Sequence, residues 1–327
     1  MNNKRIVSGM RPTGKLHLGH FHGVLDNWLA LQNEYECFFF AADWHSLTTE
    51  YANTSEIRES IHDMVLDWLA FGIDPEKSVI FQQSHVPQHA ELNLILSMIT
   101  PVSWLERNPT YKEMQENLTA RDLSTFGFLG YPVLMASDII LYKAGKVPVG
   151  HDQLPHLEIT REIARRFNHL YGPVFPEPAA YLTETPKLLG LDGRKMSKSY
   201  GNAIFLSESA EETTKKVMSM VTDVERPRRT DPGEPDRCVA FTLHLLYTPE
   251  EERAEIVKAC RSAQIGCVDC KKRLTRNVVD ALAPFRAKRT ELAAQPGLVE
   301  DVLAAGSSSA ALEAAVTMTE VRQAIKM

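Results

Sequence analysis

The sequence predicts an α/β fold in which a doubly wound parallel sheet is joined to a smaller α-helical domain. The first half of the chain alternates short apolar runs with amphipathic stretches, as expected of parallel strands joined by crossover helices. After about Ser207 the strand signals fade, and the rest indicates helices interrupted by a Pro- and Arg-rich loop at residues 225–237. With 327 residues, the chain is long enough for a large and a small domain.

The elements of the first half can be placed in order from the spacing of their apolar residues. They are a strand at residues 4–10, a helix at 16–33, a strand at 37–42, a helix that Thr54 caps and Gly72 ends, and a strand at 79–81. A doubly wound sheet binds its ligand at the carboxyl ends of its strands. We therefore expect the functional site in the loops that follow Met10, Ala42 and Val149.

Three segments follow from this pattern. They are a sheet-containing domain at residues 1–200, a helical domain at 201–305 and a C-terminal helix at 306–327. Within about residues 309–326, Leu312, Val316, Val321 and Ile325 fall roughly on one stripe. The stripe predicts that the last helix packs back on the first domain.

Composition and charge argue against several classes of protein. Hydrophobic residues make up 44% and charged residues 24%, the balance of a globular chain rather than a disordered or fibrous one. The chain has no apolar run long enough for a membrane helix and no signal-peptide core at its start, so we expect a cytoplasmic protein without a membrane partner. The net charge of -6 argues against indiscriminate nucleic-acid binding, so an RNA partner requires a local basic surface.

The junction of the first strand and the first helix has the composition of a phosphate-binding site. Residues 8–14 close the strand with two glycines and a proline, and His17-Leu18-Gly19-His20 then opens the helix. Backbone N–H groups and the positive end of the helix dipole thereby lie beside the sheet. His17 and His20 are expected on one face of the first turn, where both imidazoles can bind the same phosphate chain, and Gly19 leaves room for a nucleotide.

A second motif lies far downstream, where residues 195–199 read Lys-Met-Ser-Lys-Ser. Two lysines and two hydroxyl groups in one loop suit the binding of pyrophosphate oxygens. An H-x-G-H string can arise by chance in a helix that contains histidine, and two lysines three residues apart are common in a solvated loop. The five-residue string is not common, and the two motifs together indicate a nucleotide site.

Together these motifs resemble the signatures of the class I aminoacyl-tRNA synthetases, whose catalytic domain has a Rossmann-like fold. In that family both motifs bind ATP and stabilise the attack of the amino-acid carboxylate on the α-phosphorus, so catalysis rests on positioning and electrostatics. The resemblance makes His17, His20, Lys195 and Lys198 catalytic and implies Mg²⁺ with the ATP. The ATP-binding residues that it implies are Arg11, Pro12, Thr13, Gly19, His20, Gly150, His151, Asp152, Leu188, Lys195, Met196, Ser197, Lys198 and Ser199.

Along its whole length the chain resembles the bacterial tryptophanyl-tRNA synthetases. The matching stretches are residues 8–20, 43–45, 131–138, 147–153, 195–199 and 221–223. Two positions depart from the family pattern: many members carry an acidic residue or lysine in place of His151, and the segment with Leu188 is shorter than in some relatives. The resemblance implies a homodimer that makes tryptophanyl-adenylate from L-tryptophan and ATP, then transfers tryptophan to the terminal ribose of tRNA(Trp). It makes the first domain catalytic and the helical domain anticodon-binding.

The choice of amino acid depends on one predicted helix. Tyr131, Met135 and Asp138 stand at i, i+4 and i+7, so a helix presents them on one face. Asp138 supplies an acceptor for an indole N–H, and Met135 supplies a polarisable wall, although a lone methionine is usually core packing. An unpaired carboxylate in the apolar surroundings of Asp138 is costly, which argues against a purely structural role. The resemblance adds Gln153 and His45 to the tryptophan pocket.

Three other functions stay open at the level of sequence. The sister tyrosyl-tRNA synthetases resemble this chain throughout, but they normally carry glutamine where Met135 stands. A catalytically silent RNA-binding paralogue is disfavoured because His17, His20, Lys195 and Lys198 are intact. A small-molecule nucleotidyltransferase also uses H-x-G-H, but it leaves the basic helical domain unexplained.

Four of the five cysteines crowd into the helical domain with the spacing C-x21-C-x6-C-x2-C. They are Cys238, Cys260, Cys267 and Cys270. Four thiolates satisfy a tetrahedral Zn²⁺ or a 4Fe-4S cluster equally well by count, while a buried cysteine is often only a small apolar residue. A subset of the resembling synthetases holds a 4Fe-4S cluster with nearly this spacing, which favours iron-sulphur over zinc. Nearby basic residues predict a tRNA-facing surface or a solvated face, and they are Arg226, Arg228, Arg229, Arg237, Lys271, Lys272, Arg273 and Arg276.

Overall fold

The residues that the structure describes form a sheet of five parallel strands in the order β3-β2-β1-β4-β5. The computed structural model describes residues 4–109, 111, 123–182 and 188–327. The strands are β1 (Arg5–Met10), β2 (Glu36–Ala41), β3 (Ser78–Gln82), β4 (Lys146–Val149) and β5 (Ala179–Leu182). The strand order reverses between β1 and β4, as in a doubly wound fold, so the predicted fold class is confirmed.

The middle strand β2 shows why the first half folds as a parallel sheet. Residues 37–41 are all buried, as expected of a strand that is covered on both faces. Because side chains alternate, neighbouring aromatic residues pack on opposite faces. Phe39 stacks on Trp28 with ring centroids 4.1 Å apart, and Phe38 stacks on Tyr142 at 4.9 Å. Strand β2 therefore contributes aromatic side chains to the core on both faces of the sheet.

The contacts between residues divide the chain into two compact units. The sheet unit comprises residues 1–14, 27–184 and 295–327, and the helical unit comprises residues 15–26 and 185–294. This division follows residue contacts alone, and the three functional segments predicted from the sequence stay a prediction. No helix that the described residues form combines the length and the apolar character needed to cross a membrane.

Helices on both faces of the sheet complete the sheet unit. They are α3 (Asp43–Glu50), α4 (Ile57–Phe71), α5 (Gln88–Ser97), α6 (Val102–Glu106), α7 (Phe126–Leu141), α8 (Leu154–Tyr171) and α13 (Leu298–Ala324). The prediction that Gly72 ends α4 is confirmed, since it adopts a left-handed φ of 109° and its N–H bonds to Leu69. The prediction that Thr54 caps this helix is wrong. Glu56 precedes the first turn, and Thr54 contributes only its carbonyl, to the N–H of Ile57 at 3.2 Å.

The predicted helix at residues 16–33 is broken into three consecutive segments. They are α1 (Leu18–His20), a π-helix (Phe21–Leu25) and α2 (Asp26–Leu31). The apolar spacing therefore predicted the type of structure correctly but missed the wider turn in its middle. Such π-segments occur often at functional sites.

In the part of the helical unit that the structure describes, α1 is accompanied by four longer helices. The longer ones are α9 (Ala210–Ser219), α10 (Val239–Tyr247), α11 (Glu250–Arg261) and α12 (Cys267–Ala293). Ser209 caps α9 through a capping box with Glu212, in which each side chain accepts from the other residue's backbone N–H. The prediction that strands give way to helices in this part of the chain is confirmed.

The last helix, α13, packs on the sheet, but only Val321 and Ile325 of the predicted stripe lie on its packed face. Leu312 and Val316 are 73% and 60% exposed, whereas the buried face combines large apolar residues such as Met318 with small ones such as Ala310. A Cβ atom at Gly306 would lie 1.8 Å from the carbonyl oxygen of Ile80 in β3. The missing side chain thus allows the helix to approach the backbone of the edge strand.

Candidate functional site

A cavity of about 360 Å³ opens in the sheet unit at the point where the strand order reverses. Strands β1 and β4 pair at Ile6 and Lys146, and their later residues line the cavity. Gly9 in β1 lies under Phe40, whose ring would be 2.4 Å from an added Cβ, so glycine lets this aromatic ring form a wall. The cavity lies where the sequence analysis placed the site, at the carboxyl ends of the strands, and its volume suits a small molecule.

Helix α7 brings Tyr131, Met135 and Asp138 to this cavity, as the spacing predicts. The helix begins after Thr125, whose hydroxyl accepts the N–H of Phe128 at 3.2 Å. Asp138 is 2% exposed, and Met135 is partly buried against the core. The three side chains therefore form one wall, with a carboxylate at its inner end.

The Asp138 carboxylate is held by three side chains. His45 Nε2 lies 2.8 Å from Oδ2, His89 Nδ1 lies 2.7 Å from Oδ1, and Gln83 Nε2 donates to both oxygens at 2.8 and 3.0 Å. Burial raises the pKa of Asp138, but the hydrogen bonds from His45 and His89 outweigh burial and hold it below its usual range. The carboxylate is thus ionised and is not the unpaired buried charge that the sequence argument considered.

The two remaining predicted pocket residues also lie at the cavity. His45 belongs to α3, which follows β2, and Gln153 ends the short 3-10 turn (His151–Gln153) that follows β4. The sheet unit therefore brings together all five residues of the predicted tryptophan pocket. Their roles in tryptophan binding stay a prediction.

His156 is a cavity residue that the sequence analysis missed. Its Nδ1 lies 3.0 Å from Nδ2 of Asn108 and its Nε2 lies 3.2 Å from the Tyr131 hydroxyl. Burial lowers the pKa of His156 to about 4, so the ring is neutral. Since the Asn108 amide donates to Nδ1, the ring proton sits on Nε2 and points to the Tyr131 oxygen. The phenolic proton of Tyr131 can then be offered to a ligand.

Six of the predicted ATP-binding residues belong to the sheet unit. They are Arg11, Pro12, Thr13, Gly150, His151 and Asp152. Arg11 lines the cavity and donates to the hydroxyl of Thr49. His151 and Asp152 are exposed on the turn after β4. These residues flank the carboxyl ends of the two central strands, where a nucleotide is expected in this fold class.

The two signature histidines lie in the helical unit and cap the same short helix. His17 precedes α1, and its Nδ1 accepts the N–H of Gly19 at 3.1 Å. His20 Nδ1 accepts the N–H of His17 at 3.2 Å, and the two ring centroids are 4.0 Å apart. Because Nδ1 of each ring accepts a backbone N–H, the proton of a neutral ring lies on Nε2. Each histidine therefore presents an Nε2–H donor suited to a phosphate oxygen.

Both histidines are kept neutral by their surroundings. Burial, followed by the charges of Lys198 and Lys195, lowers the pKa of His17 to about 4. Burial and the neighbouring His17 lower the pKa of His20 well below its usual value. A Cβ atom at Gly19 would lie 2.8 Å from the His17 ring, so the glycine accommodates the histidine, whatever room it also leaves for a ligand.

The lysine loop follows a tight hairpin in the same unit. Leu188 and Met196 are joined by a backbone hydrogen bond of 2.9 Å, and the turn between them contains Gly193 at a φ of 84°. Met196 is 3% exposed and anchors the loop, whereas Lys195 is exposed and Lys198 is partly exposed. The charges of both lysines act on His17, so the helical unit brings its predicted catalytic residues together.

Asn202 fixes the shape of the lysine loop and was also missed from the sequence. Its Oδ1 accepts the N–H of Ser197 at 2.8 Å, and its Nδ2 donates to Asp192 at 2.7 Å and to the carbonyl of Lys195 at 3.2 Å. The side chain is 2% exposed. The loop conformation is thus fixed from inside while its lysine side chains extend outward.

The four clustered cysteines gather in one region of the helical unit. Burial raises the pKa of Cys270 to about 12, and the charges of Cys238, Cys260 and Cys267 contribute to the rise. None of the cysteines forms a disulfide. Across the described residues, however, no group of three or more His, Cys, Asp or Glu side chains is placed to hold one metal ion. Four thiols in one region are the type of ligand that an iron-sulphur cluster requires, and the cluster stays a prediction.

One member of the predicted basic surface is misplaced. Arg226 is 7% exposed, and its Nη2 donates to the carbonyls of Arg229 and Ile265 at 2.8 and 2.9 Å. Its Nη1 lies 3.7 Å from the sulphur of Cys260. The prediction that Arg226 faces tRNA is therefore wrong, because this guanidinium is buried beside the cysteines. The exposed members include Arg228, Arg229 and Lys272.

Comparisons with known proteins identify the family. Residues 1–283 match the family model described as tRNA synthetases class I (W and Y). The tryptophan–tRNA ligase of Thermotoga maritima is 54% identical over 325 residues, and the match covers 99% of both chains. The chain belongs to the tryptophan–tRNA ligases. The family assigned from the motifs, and the choice of tryptophan over tyrosine within it, are confirmed.

Two further proteins of this family are similar to the chain over its whole length. The tryptophan–tRNA ligase of Aquifex aeolicus is 48% identical in a match 393 residues long, gaps included. The match covers 99% of this chain and all of the relative. A crystal structure of the tryptophanyl-tRNA synthetase from Campylobacter jejuni, complexed with ADP and tryptophan, has a TM-score of 0.90 at 32% identity. That match covers 99% of this chain and 100% of the other. The family likeness therefore extends over the whole fold.

Proposed function

We propose that this protein activates L-tryptophan with ATP and then transfers it to the terminal ribose of tRNA(Trp) in the cytoplasm. The observation that supports the substrate best is the cavity of the sheet unit, which has apolar walls and one ionised, buried carboxylate on α7. An indole ring needs flat apolar walls and a single hydrogen-bond acceptor. Asp138 supplies the acceptor, and Met135, Phe40 and Val149 supply walls.

The proposed chemistry requires positioning and electrostatic stabilisation rather than proton transfer. The tryptophan carboxylate forms a bond to the α-phosphorus of ATP, and the bond from that phosphorus to the pyrophosphate oxygen breaks. His17 and His20 offer Nε2–H donors to phosphate oxygens, and Lys195 and Lys198 offset the charge that develops on the departing pyrophosphate. Mg²⁺ bound to the ATP phosphates supplies further neutralisation.

Exchange of labelled pyrophosphate into ATP tests the proposal directly. We expect exchange that depends on tryptophan and is at least about 100-fold weaker with tyrosine at equal concentration, because Met135 cannot hydrogen-bond a phenol oxygen. Met135→Gln should narrow this gap, and Met135→Leu is the size-matched control that should not. Exchange with tyrosine alone would overturn the substrate, and its absence with every amino acid would favour a catalytically silent paralogue.

The protein is proposed to act as a homodimer. Large apolar side chains of the sheet unit stand exposed around a second cavity of about 730 Å³. They include Leu94, Met98, Val102 and Phe126, and Phe126 is 81% exposed. Light scattering should report a dimer that Met98→Glu dissociates, whereas Leu170→Glu on α8, an exposed apolar position outside this cavity, should leave it intact. A wild-type monomer at micromolar concentration would contradict the proposal.

The four cysteines are proposed to hold a 4Fe-4S cluster, with Zn²⁺ as the alternative. Their spacing, their proximity and the buried Arg226 guanidinium, which would offset thiolate charge, support this proposal. Protein purified without oxygen should be brown and should contain iron and sulphide. Cys267→Ser should lose both, whereas Cys37→Ser, at the buried cysteine of the sheet unit, should keep them. A colourless protein that contains zinc would refute the choice of iron.

A further inference from the structure

We propose that Gln83, His89 and Tyr142 are positioning residues for tryptophan selection, acting through Asp138. The inference rests on the proposed function of Asp138 as the acceptor for the indole N–H. Unlike His45, none of the three lines the cavity, so none is placed to touch a ligand. Each belongs to a chain of hydrogen bonds that ends at the carboxylate.

Gln83 is locked in one orientation by the backbone. Its Oε1 accepts the N–H of Trp44 at 3.1 Å, so the amide nitrogen must point the other way, toward Asp138. Gln83 is fully buried at the end of β3, and a flipped amide would place its oxygen against a carboxylate. The arrangement therefore supplies donors and no acceptor on this side of Asp138.

His89 is locked in one tautomer by Tyr142. His89 Nδ1 lies 2.7 Å from Asp138 Oδ1, and His89 Nε2 lies 2.7 Å from the Tyr142 hydroxyl. Burial raises the pKa of Tyr142 well above its usual value, so this hydroxyl keeps its proton and donates to Nε2. Because the ionised Asp138 carboxylate can only accept, Nδ1 of His89 carries a proton and donates it, and the Tyr142 hydroxyl is the donor available to Nε2.

The two chains of hydrogen bonds fix which oxygen of Asp138 is used. Oδ1 accepts from both His89 and Gln83, whereas Oδ2 accepts from His45 and the longer arm of Gln83. A carboxylate has about four lone-pair directions. These four contacts use all four directions and prevent rotation of the carboxylate. An indole N–H would therefore have to share Oδ2, the oxygen that contacts the cavity residue His45, with the longer contact from Gln83.

The experiment compares tryptophan with L-β-(benzothien-3-yl)alanine, in which sulphur replaces the indole N–H. The measured quantity is the ratio of the two Michaelis constants in pyrophosphate exchange, which does not depend on the fraction of folded enzyme. In the wild type, tryptophan should be favoured by about tenfold or more, since a hydrogen bond to a charged group is lost with the analogue. In Tyr142→Phe, Gln83→Met and His89→Gln this preference should fall toward unity.

A conservative pair of substitutions separates positioning from packing. The side-chain amide of asparagine can replace Nδ1 of histidine, so His89→Asn should retain most of the preference, whereas His89→Gln places its amide nearer the Nε2 position and should lose it. His62→Asn, at an exposed histidine of the same unit, is the control and should behave as wild type.

The outcomes distinguish the inference from the function on which it rests. If the wild type shows no preference for tryptophan over the analogue, Asp138 is not the indole acceptor and the proposed function of this residue fails. If the wild type shows the preference but the variants weaken both substrates equally, the three residues only stabilise the fold and the inference is overturned. Selective loss in the variants, with recovery in His89→Asn, supports it.

Discussion

Histidines surround both candidate regions of this protein, but they serve opposite purposes in the two units. In the sheet unit, His45 and His89 hold a buried anion that belongs to the protein, the carboxylate of Asp138. In the helical unit, His17 and His20 each accept a backbone N–H at Nδ1, which leaves Nε2–H to bind an anion from outside. In both units, the hydrogen bond made by one ring nitrogen determines whether the other ring nitrogen donates or accepts.

The difference shows how the surroundings decide what a histidine does. The carboxylate in the sheet unit is fixed before any ligand arrives, so binding there is expected to discriminate between ring systems. In the helical unit the lysine charges stay exposed, while the nearby His17 and His20 are neutral. This region is therefore suited to stabilise negative charge that develops on phosphate oxygens during a reaction. Substitutions in the first region should therefore affect tryptophan, and those in the second should affect ATP and turnover.

The largest effect is expected for Asp138→Asn, which preserves size but replaces one acceptor with a donor. Three donors would then face an amide, and the indole N–H would lose its charged partner. We expect kcat/KM for tryptophan to fall by about 100-fold or more, because both a charged hydrogen bond and the satisfied network are lost. Steady-state exchange measures it. An equal rise in the KM for ATP would mean that the residue is structural and would remove the contrast between the units.

The next effect concerns the lysine loop. Lys195→Ala and Lys198→Ala should each lower kcat for adenylate formation by about 100-fold, while the KM for tryptophan changes by less than about threefold. Asn202 should keep the loop in place when either side chain is shortened. Lys215→Ala, at an exposed lysine on α9 paired with Glu211, is the control. Pre-steady-state rates that match the wild type would exclude both lysines from the chemical step.

Two substitutions of His17 distinguish the capping role of Nδ1 from the phosphate-binding role proposed for Nε2. In His17→Asn the side-chain oxygen can still cap α1, but the Nε2 donor is lost, so kcat/KM for ATP should fall about tenfold at unchanged stability. In His17→Gln the donor is closer to its place and the cap is lost, so the free energy of unfolding should fall by about 1 kcal/mol with a smaller loss of activity. Identical behaviour of the two variants would contradict the assignment.

The smallest effect is a dependence of stability on pH. The pKa of His17 and that of His156 are lowered to about 4 in the folded state, so below their ordinary value near 6.5 the unfolded chain binds more protons. Stability should therefore fall as the pH drops, by about 1 kcal/mol for each histidine between roughly pH 7 and pH 5.5. Chemical denaturation measures it. His17→Asn should reduce the slope, and an unchanged slope would show that His17 titrates normally.

Much of the fold and the site followed from local sequence patterns. The alternation of apolar runs predicted the parallel sheet, and the spacing of Tyr131, Met135 and Asp138 predicted a common face toward the cavity. These predictions succeeded because period and chain order fix which residues share a face, whatever the packing around them. The loops after three strands were also correctly chosen as the place of the cavity.

What the sequence missed depends on contacts between distant residues. Gln83 and His89 follow β3, a strand whose loop was not among the chosen ones, and nothing local shows that they meet Asp138. Extending the rule to the end of every strand would have found them. Arg226 looked like a surface cation because charge alone does not reveal burial. Leu312 was expected on the contact face of α13 because apolar spacing alone does not show which side of a helix meets the sheet.

The glycine contact between α13 and β3 has a consequence for solubility. Strand β3 lies at one edge of the sheet, and an uncovered edge offers unpaired N–H and C=O groups to any other extended chain. Gly306 lets the last helix lie directly on this strand, so the carboxyl-terminal segment shields the edge from foreign strands. A larger residue at this one position would push the helix away from β3 and expose the backbone groups of this edge to other chains.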